Sequence, residues 1–252
     1  MSVDVILIGG PARSGTGLMR RIVGSHPDVA IPSFEFGMGR AIEHHETPAE
    51  VHVRLASQLD PGLEPDTLPL DSLRDYFVEL LDRFAVEQGR PIVGEKTPGN
   101  EMYWPTLRDW FAPRHVGFIH MTRDPADVIA SHLNARWNDR VRSPEFVRSL
   151  AEKWAASMML ATEFSATDPR YLMVSYDDVT SNPAAVATRI CDAFGWRPEI
   201  AAMVAMGSYP DHVNSSFGTD IGERITGAVN RSVPRACHLT ETERAIIAEV
   251  AR

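Results

Sequence analysis

Cysteine is scarce in this sequence: Cys191 and Cys237 are the two among 252 residues. They stand far apart and without metal-ligand spacing, so no zinc site is expected, and a reduced, cytoplasmic protein is a simpler reading than a disulfide. Positive charge is also in short supply, with 25 Lys and Arg against 34 Asp and Glu and a net charge of -9. A nucleic-acid partner needs a basic field to displace counterions, so none is expected. Long polyanionic acceptors are disfavoured for the same reason, and any phosphate site must be built locally from placed arginines and backbone amides. No apolar run approaches the roughly 20 residues of a membrane span. The first predicted strand begins at Val3, so no signal peptide or anchor is expected. A soluble protein without a membrane partner is expected.

What is present is an ordinary globular balance, 44% hydrophobic and 23% charged residues, enough for a sizeable core. Val3 to Ile8 is a nearly continuous apolar run, as buried parallel strands are. Leu18, Met19, Ile22 and Val23 then give one apolar helical face, stopped by Gly24-Ser25-His26-Pro27. Residues 72 to 88 carry the clearest helical pattern, through Leu73, Tyr76, Phe77, Leu80, Leu81 and Phe84. Short strands follow at Ile92-Val93-Gly94, at His115 to Met121 and at Tyr171 to Val174. Arg123-Asp124-Pro125-Ala126-Asp127 opens a helix with Asp124 as cap, proline at the first position and Asp127 where a capping box wants its acid. Further helices are predicted over 144 to 165, from Asn182-Pro183 to Gly195, and over 240 to 252. Strands alternating with helices predict an α/β fold, a mainly parallel sheet flanked by helices, in one domain spanning 1–252.

Between the first strand and the first helix stands "GGPARSGTG", residues 9 to 17. A glycine-rich turn in that position is an anion trap: its N–H groups converge and the helix N-terminus adds partial positive charge. Against the nucleotide-hydrolase pattern G-x-x-x-x-G-K-[ST], Gly10 and Gly15 have the right spacing. Thr16, however, stands where the lysine belongs and Gly17 where the magnesium-binding hydroxyl belongs. What remains is a cradle of amides, the hydroxyls of Ser14 and Thr16, and Arg13, which suits a phosphate or sulfate handled without metal.

Three more clusters fall at strand ends, where ligands of open α/β sheets bind. Glu95-Lys96-Thr97-Pro98 follows the second predicted strand. Arg123 follows the third, with Ser131 two turns along the next helix. Tyr176 ends the fourth, in Ser175-Tyr176-Asp177-Asp178.

These stretches resemble the sulfotransferases that use 3′-phosphoadenosine 5′-phosphosulfate (PAPS), in particular the branch shared by bacterial and tyrosylprotein sulfotransferases. The carriers are "GGPARSGTGLMRRIVGSHPDVAIP", "EKTP", "HMTRDPADVIASHLN" and "YLMVSYDDVTSNPAAVATRICDAFG", in the family's order over about residues 3 to 195. The resemblance implies a P-loop-like sulfotransferase fold and an enzyme that moves a sulfonyl group from PAPS to a hydroxyl of a small or medium metabolite, releasing 3′,5′-adenosine bisphosphate (PAP) without a metal. It implies that Arg13, Ser14, Gly15, Thr16, Gly17 and Leu18 hold the 5′-phosphosulfate, that Arg123 and Ser131 grip the 3′-phosphate, and that Tyr176 lies near the nucleotide. Lys96 is similar to the lysine that neutralises the sulfonate and bridging oxygen, with Arg13 beside it.

The chain also departs from the family. Gly17 replaces a usual threonine, so one hydroxyl contact is absent. Beyond Gly195 the match thins; the resemblance implies a basic loop over the nucleotide, for which "GAVNRSVPR" with Arg231 is the candidate, without a usual tryptophan nearby. Acceptor specificity is assigned to segments 36–70 and 196–235.

The acceptor hydroxyl needs a base within hydrogen-bond reach. The candidate is Glu35 in "IPSFEF", which burial beside Phe34 and Phe36 would suit to the task by raising its pKa. Glu95 is the rival acid and reads better as a structural partner of Lys96 or Arg13. His26 reads as a structural hydrogen-bonder in its turn, and His44-His45 as an exposed pair. Two other functions compete: a P-loop small-molecule kinase using ATP and magnesium, against which Thr16 counts, and a non-catalytic nucleotide-binding module, which needs neither Lys96 nor Glu35. A homo-oligomer is compatible with the sequence.

Overall fold

The computed structural model describes residues 2–56, 68–135, 141–205 and 236–251. Among these residues five parallel strands form one sheet: β1 (Val5–Gly9), β2 (Val29–Ala30), β3 (Ile92–Lys96), β4 (Val116–Thr122) and β5 (Tyr171–Ser175), in the order β2-β3-β1-β4-β5. Four were expected from sequence; β2, at two residues, is too short to carry a periodicity. In register, Ile8 of β1 stands opposite Lys96 of β3 and Ile119 of β4. Because the order reverses at β1, its carboxyl end opens onto the crevice where α/β sheets take ligands.

Side chains alternate across the strands with a period of two. Ile6 and Ile8 of β1, with Ile119 and Met121 of β4, pack against α1 (Thr16–Gly24) and α9 (Pro183–Phe194) through Met19, Ile22, Val23, Val186, Ile190 and Phe194. Val5 and Leu7, with Val93 and Phe118, face the other way, onto Tyr76, Phe77, Leu80 and Leu81 of α4 (Leu73–Gln88) and Trp104 and Leu107 of α5 (Trp104–Trp110). The strands are therefore apolar on both faces, which is why they read as continuous runs. A third cluster joins α6 (Pro125–Leu133), α7 (Pro144–Thr167) and α11 (Glu241–Val250) through Ile129, Leu133, Val147, Ile246 and Ile247.

Helix ends follow their local chemistry. Ser72 caps α4 by accepting from the Asp75 N–H at 3.1 Å, and Gly195, at φ 65°, closes α9. Asp124 caps α6 at 3.1 Å from the Asp127 N–H, but the reciprocal half of the capping box does not form. The Asp127 carboxylate is drawn away to the Ala236 N–H at 3.0 Å and lies 3.5 Å from Arg123. No helix among the described residues is long and apolar enough to cross a membrane. Cys191 is buried in the α9 layer beside Met203.

Candidate active site

The loop after β1 is shaped by three left-handed residues. Gly10, Arg13 and Gly15 have φ of 118°, 78° and 103°, a conformation that costs a non-glycine residue of order 1–3 kcal/mol. Gly15 is required twice over, since a Cβ there would lie 2.6 Å from the Tyr176 ring. The loop is held from behind: the Gly10 N–H donates to Glu101 Oε2 at 2.7 Å, and Gly99 N–H donates to the Gly10 carbonyl at 3.2 Å. Its front is open. Among the described residues, no side chain caps the first amides of α1, which starts at Thr16, nothing stands within 4 Å of a Cβ at Gly17, and the Ser14 hydroxyl is buried without a hydrogen-bond partner. Buried polar groups are nearly always satisfied; here a hydroxyl and the uncapped first amides of a helix lie in one loop, which fits an anion with several acceptor oxygens.

The other strand ends close on this loop. Arg13 Nε donates to Ser131 Oγ of α6 at 3.1 Å, across 118 residues of sequence. Arg123, directly after β4, lays its guanidinium 4.1 Å over the Tyr176 ring, a cation–π contact that fixes both side chains. Tyr176 is the first residue of α8 (Tyr176–Ser181) rather than the last of β5. Thr16 and Ser131 are buried. The structure thus brings together Arg13, Ser14, Gly15, Thr16, Gly17, Arg123, Ser131 and Tyr176; Leu18 packs partly buried against the α1 core. Arg231 lies outside the described residues, as do parts of both segments to which acceptor specificity was assigned.

Lys96 ends β3 on the α1 side, 6% exposed, and its Nζ donates to Glu35 Oε1. Burial pulls the Lys96 pKa below its ordinary value; the Glu35 carboxylate opposes that and the nearby Arg20 cation reinforces it. Glu35 is not sheltered by its phenylalanine neighbours: Phe36 is buried, yet the Glu35 side chain remains 48% exposed.

Glu95 points to the opposite face of β3 and is fully buried. Its partners are the Phe36 N–H at 3.1 Å, Asn100 Nδ2 at 2.5 Å and the Thr97 hydroxyl, not Lys96 or Arg13. Burial raises its pKa to about 7, against the pull of those three donors and with a smaller push from Glu35. His26 is structural: its ring accepts from the Asp28 N–H at 3.1 Å and contacts the Arg197 carbonyl at 2.9 Å. His44 and His45 are exposed.

Two groups escaped the sequence reading. Arg20 stands four residues beyond Thr16, on the same side of α1, and donates to the Ser33 carbonyl; helical spacing from Thr16 would have found it. Glu101 gives no such signal. It ends a buried chain in which Tyr171 OH lies 2.6 Å from His120 Nδ1, His120 Nε2 lies 3.2 Å from Ser157 Oγ, and Ser157 donates to Glu101 Oε1 at 2.7 Å.

An open parallel sheet with a glycine-rich turn after β1 and cations at the ends of β3 and β4 is an arrangement suited to phosphate-like groups. More particularly, the sulfotransferase family model matches residues 5–199, and the chain belongs to that family. Similar solved structures include the sulfotransferase domain of the Synechococcus PCC 7002 olefin synthase, at TM-score 0.59 and 20% identity, covering 98% of this chain and 94% of that one. The sulfotransferase domain of the curacin biosynthetic pathway gives 0.55 and 16%, covering 100% and 98%. Mouse sulfotransferase SULT7A1, complexed with PAP, gives 0.54 and 14%, covering 98% and 82%. At these identities the likeness is one of fold. No curated protein matches the chain.

Proposed function

We propose that this protein transfers a sulfonyl group from PAPS to a hydroxyl of a small or medium metabolite and releases PAP, with no metal involved. The observation that carries the reading is the meeting of the loop and α6 at Arg13–Ser131, beside an amide cradle whose buried Ser14 hydroxyl has no hydrogen-bond partner among the described residues. Family membership and the PAP-bound mouse structure support the choice of donor.

In this reading the amides and hydroxyls of Ser14 to Leu18, with Arg13, hold the 5′-phosphosulfate, and Arg123 and Ser131 hold the 3′-phosphate against Tyr176. The chemistry is an in-line exchange. The acceptor oxygen forms a bond to sulfur as the bond from sulfur to the 5′-phosphate oxygen breaks, and that oxygen keeps the electron pair. Glu35 takes the hydroxyl proton, and Lys96 and Arg13 stabilise negative charge on the departing oxygen. A cation buried as deeply as Lys96 acts through a lower dielectric than one in water, which strengthens that stabilisation.

Calorimetric titration without magnesium, comparing PAP with ADP and ATP, tests the donor. Micromolar PAP binding, lost in Arg123→Ala, is expected. A preference for ATP that appears only with magnesium would overturn the reading in favour of a kinase.

A further inference from the structure

From Ser33 to Gly39 the backbone is fastened at five points. Arg20 Nη1 donates to the Ser33 carbonyl, and Arg54 Nη1 donates to the Phe36 carbonyl at 2.9 Å. The N–H groups of Phe36, Gly37 and Gly39 donate to Glu95 Oε1 (3.1 Å), Thr97 Oγ1 (3.1 Å) and Asn100 Oδ1 (3.2 Å). The last three acceptors come from one short run at the end of β3. They are tied to one another as well, since Thr97 Oγ1 and Asn100 Nδ2 both donate to Glu95.

Glu95, Thr97 and Asn100 are all buried. Loop amides ordinarily turn to water, and burying a carboxylate to hold them carries a desolvation cost that an apolar residue would avoid. Inside this fastened stretch one side chain, Glu35, stands out into solvent and reaches Lys96. The alternation of β3 explains the arrangement: Lys96 projects on the α1 face toward Glu35, while Glu95 projects on the other face and grips the next backbone amide.

We propose that Glu95, Thr97 and Asn100 are positioning residues that hold Glu35 against Lys96 for the transfer step. The inference rests on the reading of Glu35 as the base. The Glu95-Lys96-Thr97 run then serves the reaction from both faces of one strand, Lys96 by touching the reacting group and its neighbours by holding the base. A base held to within a few tenths of an ångström keeps the near-attack geometry on which proximity effects depend.

The test uses the full chain and PAPS with water as the acceptor, followed as PAP released, together with calorimetric PAP affinity and amide hydrogen exchange over residues 33–39. Glu35→Gln should slow PAP release at least tenfold. Glu95→Gln and Thr97→Val should each slow it about tenfold, leave PAP affinity within threefold and speed exchange in 33–39, while Thr97→Ser recovers the rate to within threefold. The double variant Glu35→Gln/Glu95→Gln should be no slower than Glu35→Gln alone. If Glu35→Gln is slow but Glu95→Gln and Thr97→Val are not, the positioning role is overturned; losses that multiply in the double variant also overturn it. If Glu35→Gln itself releases PAP at the native rate, the base assignment is what fails. Should Glu95→Gln not fold, Thr97→Val carries the same comparison with the buried carboxylate kept.

Discussion

Arg13 Nε donates to Ser131 Oγ at 3.1 Å, so a loop that follows β1 is clasped to a helix that follows β4. The clasp sits where two separate anion-binding roles are assigned, one to each residue, and it gives those roles a common geometry before any ligand arrives. Arg13 holds its left-handed φ of 78° within that clasp, a local cost that a functional constraint accounts for.

Breaking the clasp should therefore weaken nucleotide binding more than it weakens the fold. A hydrogen bond to a charged group contributes about 1.5–3 kcal/mol, and about 1.4 kcal/mol corresponds to a tenfold change in affinity. Arg13→Ala should lower PAP affinity about tenfold to a hundredfold by calorimetry, and Ser131→Ala by less, with both variants still folded by circular dichroism. Native affinity in both would remove the clasp from the nucleotide site.

Gly15→Ala should be disruptive out of proportion to one methyl group. The new Cβ would stand 2.6 Å from the Tyr176 ring at a backbone φ of 103°. Relief requires Tyr176 to leave its place under Arg123, so the strain reaches the proposed 3′-phosphate grip. A loss of about 1–3 kcal/mol in unfolding free energy is expected with a PAP affinity at least tenfold weaker. A variant destabilised but binding PAP normally would show that Tyr176 and Arg123 are not part of the grip.

The fold and the site were legible in the sequence to different depths. The strands β1, β3 and β4 announced themselves because both faces of each are buried, the half-buried edge strand β5 because it is a short apolar run, and Arg13, Lys96, Arg123 and Tyr176 because each stands at the end of such a run or just beyond it. Short-range chemistry was legible too: Asp124 opens α6 and Gly195 closes α9 as side chain and backbone freedom dictate. What the sequence could not show is pairing across the sheet. That Glu95 serves Phe36 rather than Lys96 depends on which face of β3 each residue takes and on a loop 59 residues earlier in the chain. The exposure of Glu35 was hidden for a related reason: adjacent phenylalanines say nothing about which way a loop acid turns. The Glu101–Ser157–His120–Tyr171 chain joins four elements, and no local pattern marks it.

Lys96→Ala should separate chemistry from binding. Its Nζ pairs with Glu35 on the α1 side of the β3 end, apart from the Arg123–Tyr176 contact. Turnover should fall at least a hundredfold, within the range that loss of one electrostatic stabiliser produces, while PAP affinity stays within several-fold. Unchanged turnover would exclude Lys96 from the transfer step.

Two buried groups should tilt stability with pH in opposite directions. Burial holds His120 at a pKa of about 3, below its ordinary 6.5, in keeping with a neutral ring placed between Tyr171 and Ser157. A depressed folded-state pKa means that the unfolded chain binds the proton more readily. Its contribution is therefore complete above about pH 6.5 and is lost as pH falls toward about 3. Glu95 runs the other way. Its pKa is raised from 4.5 to about 7, so the folded state binds the proton more readily, and its contribution is present below about 4.5 and lost as pH rises through about 7. Urea unfolding at stepped pH should show Glu95→Gln gaining on the native protein between pH 4.5 and 7 and no further above that. His120→Gln should gain on it as pH falls from 6.5 toward 5. Parallel curves for Glu95→Gln and the native protein would mean that Glu95 stays ionised throughout, held by the Phe36, Thr97 and Asn100 donors strongly enough to offset its burial.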